Sequence, residues 1–199
     1  MVKTKTMKLD KKIIYIVSGL ERSGTSLLMQ ILRTGGIPTS FSNSRPADEN
    51  NPKGYYELEG GKIINRLMDG TFPLDEFKGK FIKITAYGLK FLPPGKYKII
   101  YSERNIEEIL DSMEKMIGKK YSNREKTRKT FMRLNNMIKN QIQDREDIEV
   151  LIINYNEIIS NPKDNINKML YFLGVSGDIL DKMVDVVDNR LYRQRRIKP

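Results

Sequence analysis

Residues 13–36 read IIYIVSGLERSGTSLLMQILRTGG, and the rest of the chain is organised around what this stretch becomes. Its opening, IIYIVSG, is a short run of β-branched and aromatic residues, which predicts a buried strand. Leu27, Leu28, Ile31 and Leu32 recur at helical spacing, and Gly35-Gly36 supplies a stop, so the stretch closes as a helix. GLERSGTS, from Gly19 to Ser26, joins the two. A strand that turns through Gly19 and Gly24 into a helix leaves several backbone N–H groups converging on one point. The helix N-terminus adds partial positive charge there, and the point suits a phosphate or a sulfate. The bland alternative is an ordinary glycine turn between strand and helix.

The chain has 199 residues, with 39% hydrophobic and 31% charged content, which fits one globular domain with a sizeable core. It has no cysteine and no histidine. That removes disulfides, thiolate chemistry, a Ser-His-Asp triad and every histidine-based metal site or general base. No apolar run approaches the roughly 20 residues that span a bilayer. The basic start MVKTKTMKLDKK leads into a strand and not into a secretory signal, so a cytoplasmic protein is expected. The net charge is +11, spread over a basic arm at residues 1–11, the segment Lys119–Arg133 and a basic tail at residues 188–199. Such a surplus calls for a polyanionic partner, an anionic cofactor or simple solubility. No strand interleaves basic and aromatic residues, so a nucleic-acid partner is not expected.

Beyond the first helix, residues 37–57 form a long polar loop, which in a compact domain is usually functional. Leu58–Met68 predicts a short helix. FIKIT (81–85) and KIIY (98–101) predict strands either side of a Pro-Pro-Gly turn. The second runs into SERNIEEILDSMEKM, with Asn105 as N-cap and Glu107 and Glu108 favourably placed in the first helical turn. Tyr121–Asp144 predicts a long polar helix with Phe131, Leu134, Ile138 and Ile142 on one side. EVLIIN (149–154) predicts a further strand. Asn161-Pro162 then opens a helix as cap and first residue. Strands alternating with helices imply an α/β fold: a single-domain, P-loop-like three-layer sandwich with a mostly parallel sheet flanked by helices.

GLERSGTS resembles the nucleotide P-loop, G-x-x-x-x-G-K-[ST], with Thr25 where that motif requires lysine and Arg22 earlier instead. A loop without that lysine is a poor NTPase but can hold a less heavily charged anion. R-S-G-T-[ST]-L after a strand resembles the 5′-phosphosulfate loop of the sulfotransferases that use 3′-phosphoadenosine 5′-phosphosulfate (PAPS). NPKGYYE (51–57) resembles a segment that follows this loop in bacterial members. Arg104 with Ser112, two helical turns past the cap, resembles the family's pair for the 3′-phosphate. FIKITAYGLKFLPPGKYKIIYSERN resembles the segment K-T-H-x-P, L-P, then K-[IV]-I-Y-x-x-R-[DN]. VLIINYNEIISNPKDNINKMLYFLGV resembles the late segment whose tyrosine contacts the adenine. The resemblance spans Ile13–Val175, and four elements in the correct order are more specific than any one.

The resemblance implies a single PAPS-dependent enzyme, with PAP as product and no metal. It assigns Arg22, Ser23, Gly24, Thr25 and Ser26 to the phosphosulfate, Arg104 and Ser112 to the 3′-phosphate, and Tyr155 to the adenine. Lys83 would stabilise charge near the transferring sulfuryl group. The family's histidine base falls on Thr85, which takes no proton at neutral pH; Glu57 is the candidate base, with Glu49 and Asp48 behind it. Ile106 replaces the family's proline, and Asn156 its glutamate. The C-terminal R-K-G loop is not recognisable, and Arg193 is assigned in its place, with Arg195 and Arg196 as alternatives. The acceptor is a small molecule, glycan or peptide of unread identity, and the oligomeric state is unread. The competing readings are a P-loop kinase-like phosphotransferase and a basic nucleic-acid-binding protein on the same fold.

Overall fold

The computed structural model describes residues 8–42, 44–192 and 196. Strand β1 (Ile14–Gly19) is buried along its whole length. Ile14 and Ile16 enter one core, and Tyr15 and Val17 enter another on the opposite side. Burial on both faces is why the run is continuously apolar and not alternating. Strands β2 (Phe81–Lys83), β3 (Tyr97–Glu103) and β4 (Ile148–Asn154) pair with it in the order β2-β1-β3-β4. Every pairing is parallel, with Val17 opposite Lys83 on one side and Ile100 on the other.

Helix α1 (Thr25–Thr34) begins directly after the glycine loop and covers one face, together with α5 (Tyr155–Ser160), α6 (Pro162–Leu173) and α7 (Leu180–Val184). The other face carries α2 (Ile64–Met68), α3 (Ile106–Ile117) and α4 (Arg124–Gln143), through Leu67, Ile109, Ile138 and Ile142. The result is the expected three-layer sandwich with a parallel sheet in the middle. Asn105 caps α3 by accepting from the N–H groups of Glu107 and Glu108, so the capping arithmetic of the sequence holds there.

Four local expectations shift. The strand predicted over 81–85 stops at Lys83, because Thr85 leads into a tight 3₁₀ segment, Ala86–Phe91. The helix predicted over 58–68 is split: a 3₁₀ turn, Glu59–Gly61, contains Gly60 at φ 63°, and α2 starts only at Ile64. The long polar helix starts at Arg124, where Asn123 caps it, and not at Tyr121. Pro162 does open α6, but the Asn161 side chain does not cap it and instead donates to Asp164.

The chain passes from β1 to β2 on one side and then crosses to β3 on the other side of β1. A crevice opens outside the carboxyl ends of parallel strands where the order reverses in this way. The loop Gly19–Ser26, Lys83 and Arg104 all follow the carboxyl ends of these strands or end them. No helix among the described residues is long and apolar enough to cross a membrane.

Candidate active site

The loop after β1 owes its shape to backbone conformations that few residues adopt. Gly24 sits at φ 104°, and a Cβ there would lie 2.1 Å from the Tyr155 ring. Arg22 has φ 66°, a left-handed conformation that is uncommon and costly for a non-glycine residue. Ser102 Oγ donates to the Ser23 carbonyl at 2.7 Å and pins the loop to β3. Among the described residues, the N–H groups of Gly24, Thr25 and Ser26 have no backbone acceptor, because α1 begins there. The Ser23 N–H is already bonded to the Leu20 carbonyl, and its buried Oγ has no hydrogen-bond partner among the described residues. Ser23 does not line the cleft that the neighbouring loop residues line.

Arg22 reaches across the mouth of this loop. Its Nε donates to Ser112 Oγ at 2.9 Å and its NH2 to the Asn50 carbonyl at 3.1 Å. No carboxylate among the described residues pairs with it. Burial pushes its pKa below the ordinary arginine value, and the nearby Arg104 adds to the effect against an opposing contribution from Tyr55. A cation held in this way, beside three free amides and a helix N-terminus, is an anion site.

Arg104 forms the second cationic wall. Its Nε pairs with Glu108 at 3.0 Å, and its NH1 donates to the Arg22 carbonyl at 3.1 Å. Its guanidinium lies 4.5 Å from the Tyr155 ring centre, a favourable stacking of cation on aromatic face. Glu108, at 1% exposure, also accepts from Asn156, from the Tyr192 hydroxyl at 2.6 Å and from the Arg196 N–H. It fixes Arg104 and ties α3 to α5 and to the C-terminal segment. Asn156, a departure from the family's glutamate, is thus a donor to a buried carboxylate, where a second carboxylate would repel.

Another wall of the cleft is built from β2 and the long loop after α1. Lys83 Nζ donates to the Tyr55 carbonyl at 2.8 Å, to Glu57 Oε1 at 3.1 Å and to Ser26 Oγ at 3.2 Å. Burial lowers its pKa from the ordinary lysine value, against the raising influence of Glu57. Glu57 Oε2 accepts from Arg45 at 3.1 Å, and the Arg45 guanidinium stacks 3.5 Å from the Tyr55 ring centre. The loop is strapped over the site by three further contacts. Asn51 Nδ2 donates to Ser26 Oγ, Ser26 Oγ donates to the Tyr55 carbonyl, and Tyr55 Oη donates to Asp48.

One cleft is lined by Arg22, Gly24, Thr25, Ser26, Glu57, Lys83, Arg104, Ser112 and Tyr155. The structure thus brings together nine of the residues singled out in the sequence, and Thr85 is in the same wall. Asp48 is held by Tyr55 and the turn amides of Asn50 and Asn51, and neither it nor Glu49 lines the cleft. Arg193 and Arg195 lie outside the described residues. Arg196 is turned to Asp111, 2.7 Å away, on the outer side of α3. Sequence reasoning missed Arg45, Asn51 and Glu108 as parts of the site. The spacing of Arg104 and Glu108, four apart on a helix, was the available signal for the last. Among the described residues, no grouping of three or more acidic residues is placed to hold a metal ion.

The sequence matches the Sulfotransferase domain family over residues 11–196. No curated protein matches it. The fold is shared with the sulfotransferase domain of the Synechococcus PCC 7002 olefin synthase. That pair has a TM-score of 0.55 at 15% identity, covering 100% of this chain and 88% of that one. Mouse sulfotransferase SULT7A1 complexed with PAP superposes with TM-score 0.50 at 14% identity, over 90% of this chain and 66% of that one. The sulfotransferase domain from the curacin biosynthetic pathway gives 0.50 at 13%, over 88% and 78%. Taken with a family match that covers nearly the whole chain, the glycine loop with Thr25 at the P-loop lysine position and Arg22 earlier leads to one conclusion: this chain belongs to the sulfotransferase domain family.

Proposed function

We propose that this sulfotransferase uses PAPS as donor and moves its sulfuryl group to a hydroxyl or amine of a small-molecule, glycan or peptide acceptor. The observation that carries the reading is Arg22: a largely buried cation with no carboxylate partner among the described residues, facing free amides of a helix N-terminus. Such a site is incomplete without an anion. The Gly24 cradle, closed by the Tyr155 ring, admits a backbone-hugging group and no side chain of its own.

Bound PAPS supplies a sulfuryl group whose bond to the 5′-phosphate oxygen breaks as the acceptor oxygen or nitrogen bonds to sulfur. Arg22 and the amides of Gly24, Thr25 and Ser26 hold the phosphosulfate and stabilise the charge left on the 5′-phosphate. Lys83 Nζ, in contact with Ser26 Oγ and Glu57, places its charge between the two ends of the reaction. Glu57 accepts the acceptor's proton on a carboxylate oxygen. Each of its oxygens is already engaged by a cation, but a carboxylate has roughly four lone-pair sites, so capacity remains. Arg104 and Ser112 bind the 3′-phosphate, and the Tyr155 ring takes a face of the adenine. A cytoplasmic location, read from the sequence, belongs to the same proposal.

A thermal-shift panel tests the reading. PAP is expected to raise the melting temperature in a concentration-dependent way, while ATP with magnesium and a DNA oligomer have little effect. Stabilisation by ATP with magnesium and none by PAP would support a kinase-like site instead.

A further inference from the structure

Arg45 lies in the long loop after α1, and its side chain lines the cleft while staying 39% exposed. Its guanidinium stacks 3.5 Å from the Tyr55 ring centre, and NH1 donates to Glu57 Oε2 at 3.1 Å. That bond uses one of the five donors of a guanidinium. Lys83, on the other oxygen of Glu57, is only 7% exposed and donates to the Tyr55 carbonyl, to Ser26 Oγ and to Glu57 Oε1. An ammonium has no further donor to give. Lys83 is spent, and Arg45 is not. The Tyr55 hydroxyl donates to Asp48, so the ring under the guanidinium is itself fixed. Gly61, at φ 85°, packs on the same carboxylate: a Cβ there would lie 3.0 Å from Glu57 Oε2. Bare backbone therefore borders the cleft beside this pair.

Charge balance gives the arrangement a consequence. Arg45 and Lys83 share one carboxylate, and a proton delivered to Glu57 removes that negative charge. Both cations are then left without a counter-charge in a partly buried wall, which is costly. Asp48 does not replace it, because it is taken by the Tyr55 hydroxyl and the Asn50 and Asn51 amides and does not line the cleft.

We propose that the acceptor carries an anionic group beside its reacting hydroxyl or amine, and that Arg45 binds this group. The inference rests on the PAPS reading of the cleft and narrows the acceptor to an acid: a carboxylate, sulfate or phosphate ester, all of which fit the guanidinium fork. When such an acceptor docks, Arg45 exchanges the Glu57 carboxylate for the acceptor's anion and leaves Oε2 open. The acceptor oxygen or nitrogen then bonds to sulfur, and the bond from sulfur to the 5′-phosphate oxygen breaks with its electron pair staying on that phosphate. The proton passes to Glu57. Arg45 still faces an anion at the end of the step, and no proton or electron is exchanged with it.

The test compares initial rates with PAPS on matched acceptors, 4-hydroxyphenylacetate against its amide and glucuronate against glucose. The parent, Arg45→Met and Arg45→Gln are run side by side, and a PAP thermal shift reports folding and donor binding in each. In the parent, kcat/KM is expected to favour the acidic member of a pair by roughly 10–100-fold, the range of a hydrogen bond to a charged group. In both variants that ratio is expected to fall to within about threefold of unity. The ratio is the readout because a role of Arg45 in holding Glu57 alone would slow both members of a pair equally. Two substitutions are used so that a folding failure of one leaves the other to decide. A parent that binds PAP but shows no preference for the acidic members, or transfers to none of them, overturns the proposal. A parent-like ratio in either folded variant overturns the assignment of Arg45. A parent that does not bind PAP overturns the underlying PAPS reading and the proposal with it.

Discussion

Arg22 Nε and Ser112 Oγ, 90 positions apart in the chain, are joined by a hydrogen bond of 2.9 Å. The bond links the loop after β1 to the second turn of α3, and so joins the proposed 5′-phosphate and 3′-phosphate sites. Arg104 completes the link by donating to the Arg22 carbonyl. The two anion sites therefore share one preformed cationic wall, which lowers the ordering cost of binding a doubly phosphorylated nucleotide.

Replacing Arg104 by alanine should cost PAP about 1.5–3 kcal/mol of binding free energy, the range for a hydrogen bond to a charged group. Adenosine 5′-phosphate, which lacks the 3′-phosphate, should lose far less. Calorimetry on both ligands checks this, and equal losses would take the 3′-phosphate away from Arg104.

Glu57→Gln should slow single-turnover sulfuryl transfer by roughly 10²–10⁴-fold, the usual contribution of a general base, with PAP affinity nearly kept. Glu49→Gln, outside the cleft, should be close to the parent. The Glu57 change also leaves Lys83, whose side chain is 7% exposed, without its carboxylate. A melting temperature lowered by the equivalent of up to about 3 kcal/mol is therefore expected as well. A large rate loss only in the Glu49 variant would move the base to that residue.

Gly24→Ala should both destabilise the fold and weaken PAP. The φ of 104° is strained for alanine, at about 1–3 kcal/mol, and the added carbon would meet the Tyr155 ring at 2.1 Å. Urea unfolding and PAP titration are expected to fall together. A variant with parent stability would mean that the loop has an alternative conformation.

Sulfuryl transfer should survive EDTA. Thr25 replaces the lysine of an NTPase loop, and Arg22 and Lys83 supply positive charge at the site. Loss of activity on chelation, restored by magnesium, would contradict this.

Asp147 gives a pH signature of the fold. The Arg145 guanidinium beside it, with the Gly95 N–H, holds its carboxyl down at about 2. A depressed pKa contributes stability that is fully present above the unfolded value near 4 and is lost as pH falls toward 2. The stability gap between parent and Asp147→Asn should be about 1 kcal/mol near pH 7, as for a solvent-screened pair. It should close between pH 4 and pH 2. A gap that persisted at pH 2 would mean that the loss is one of packing and not of charge.

What the sequence determined by itself was whatever a few neighbouring residues decide. Gly19 and Gly24 around Arg22 specify the turn into α1. Asn105 specifies a cap, Pro162 a first helical residue, and IIYIVSG a strand buried on both faces. These are short-range constraints of backbone dihedrals, capping bonds and periodicity, so they survive without knowledge of the fold. The boundary misses fell where such constraints compete, as at Gly60 and Thr85. Only the tertiary structure decided which distant groups meet. It paired Glu57 with both Lys83 and Arg45, made Glu108 the anchor of Arg104 and turned Arg196 to Asp111. The same letters allow many such pairings. Which one forms depends on the order β2-β1-β3-β4 and on burial, which makes an unpaired charge expensive and so selects the arrangement in which Glu57 and Glu108 each find a cation.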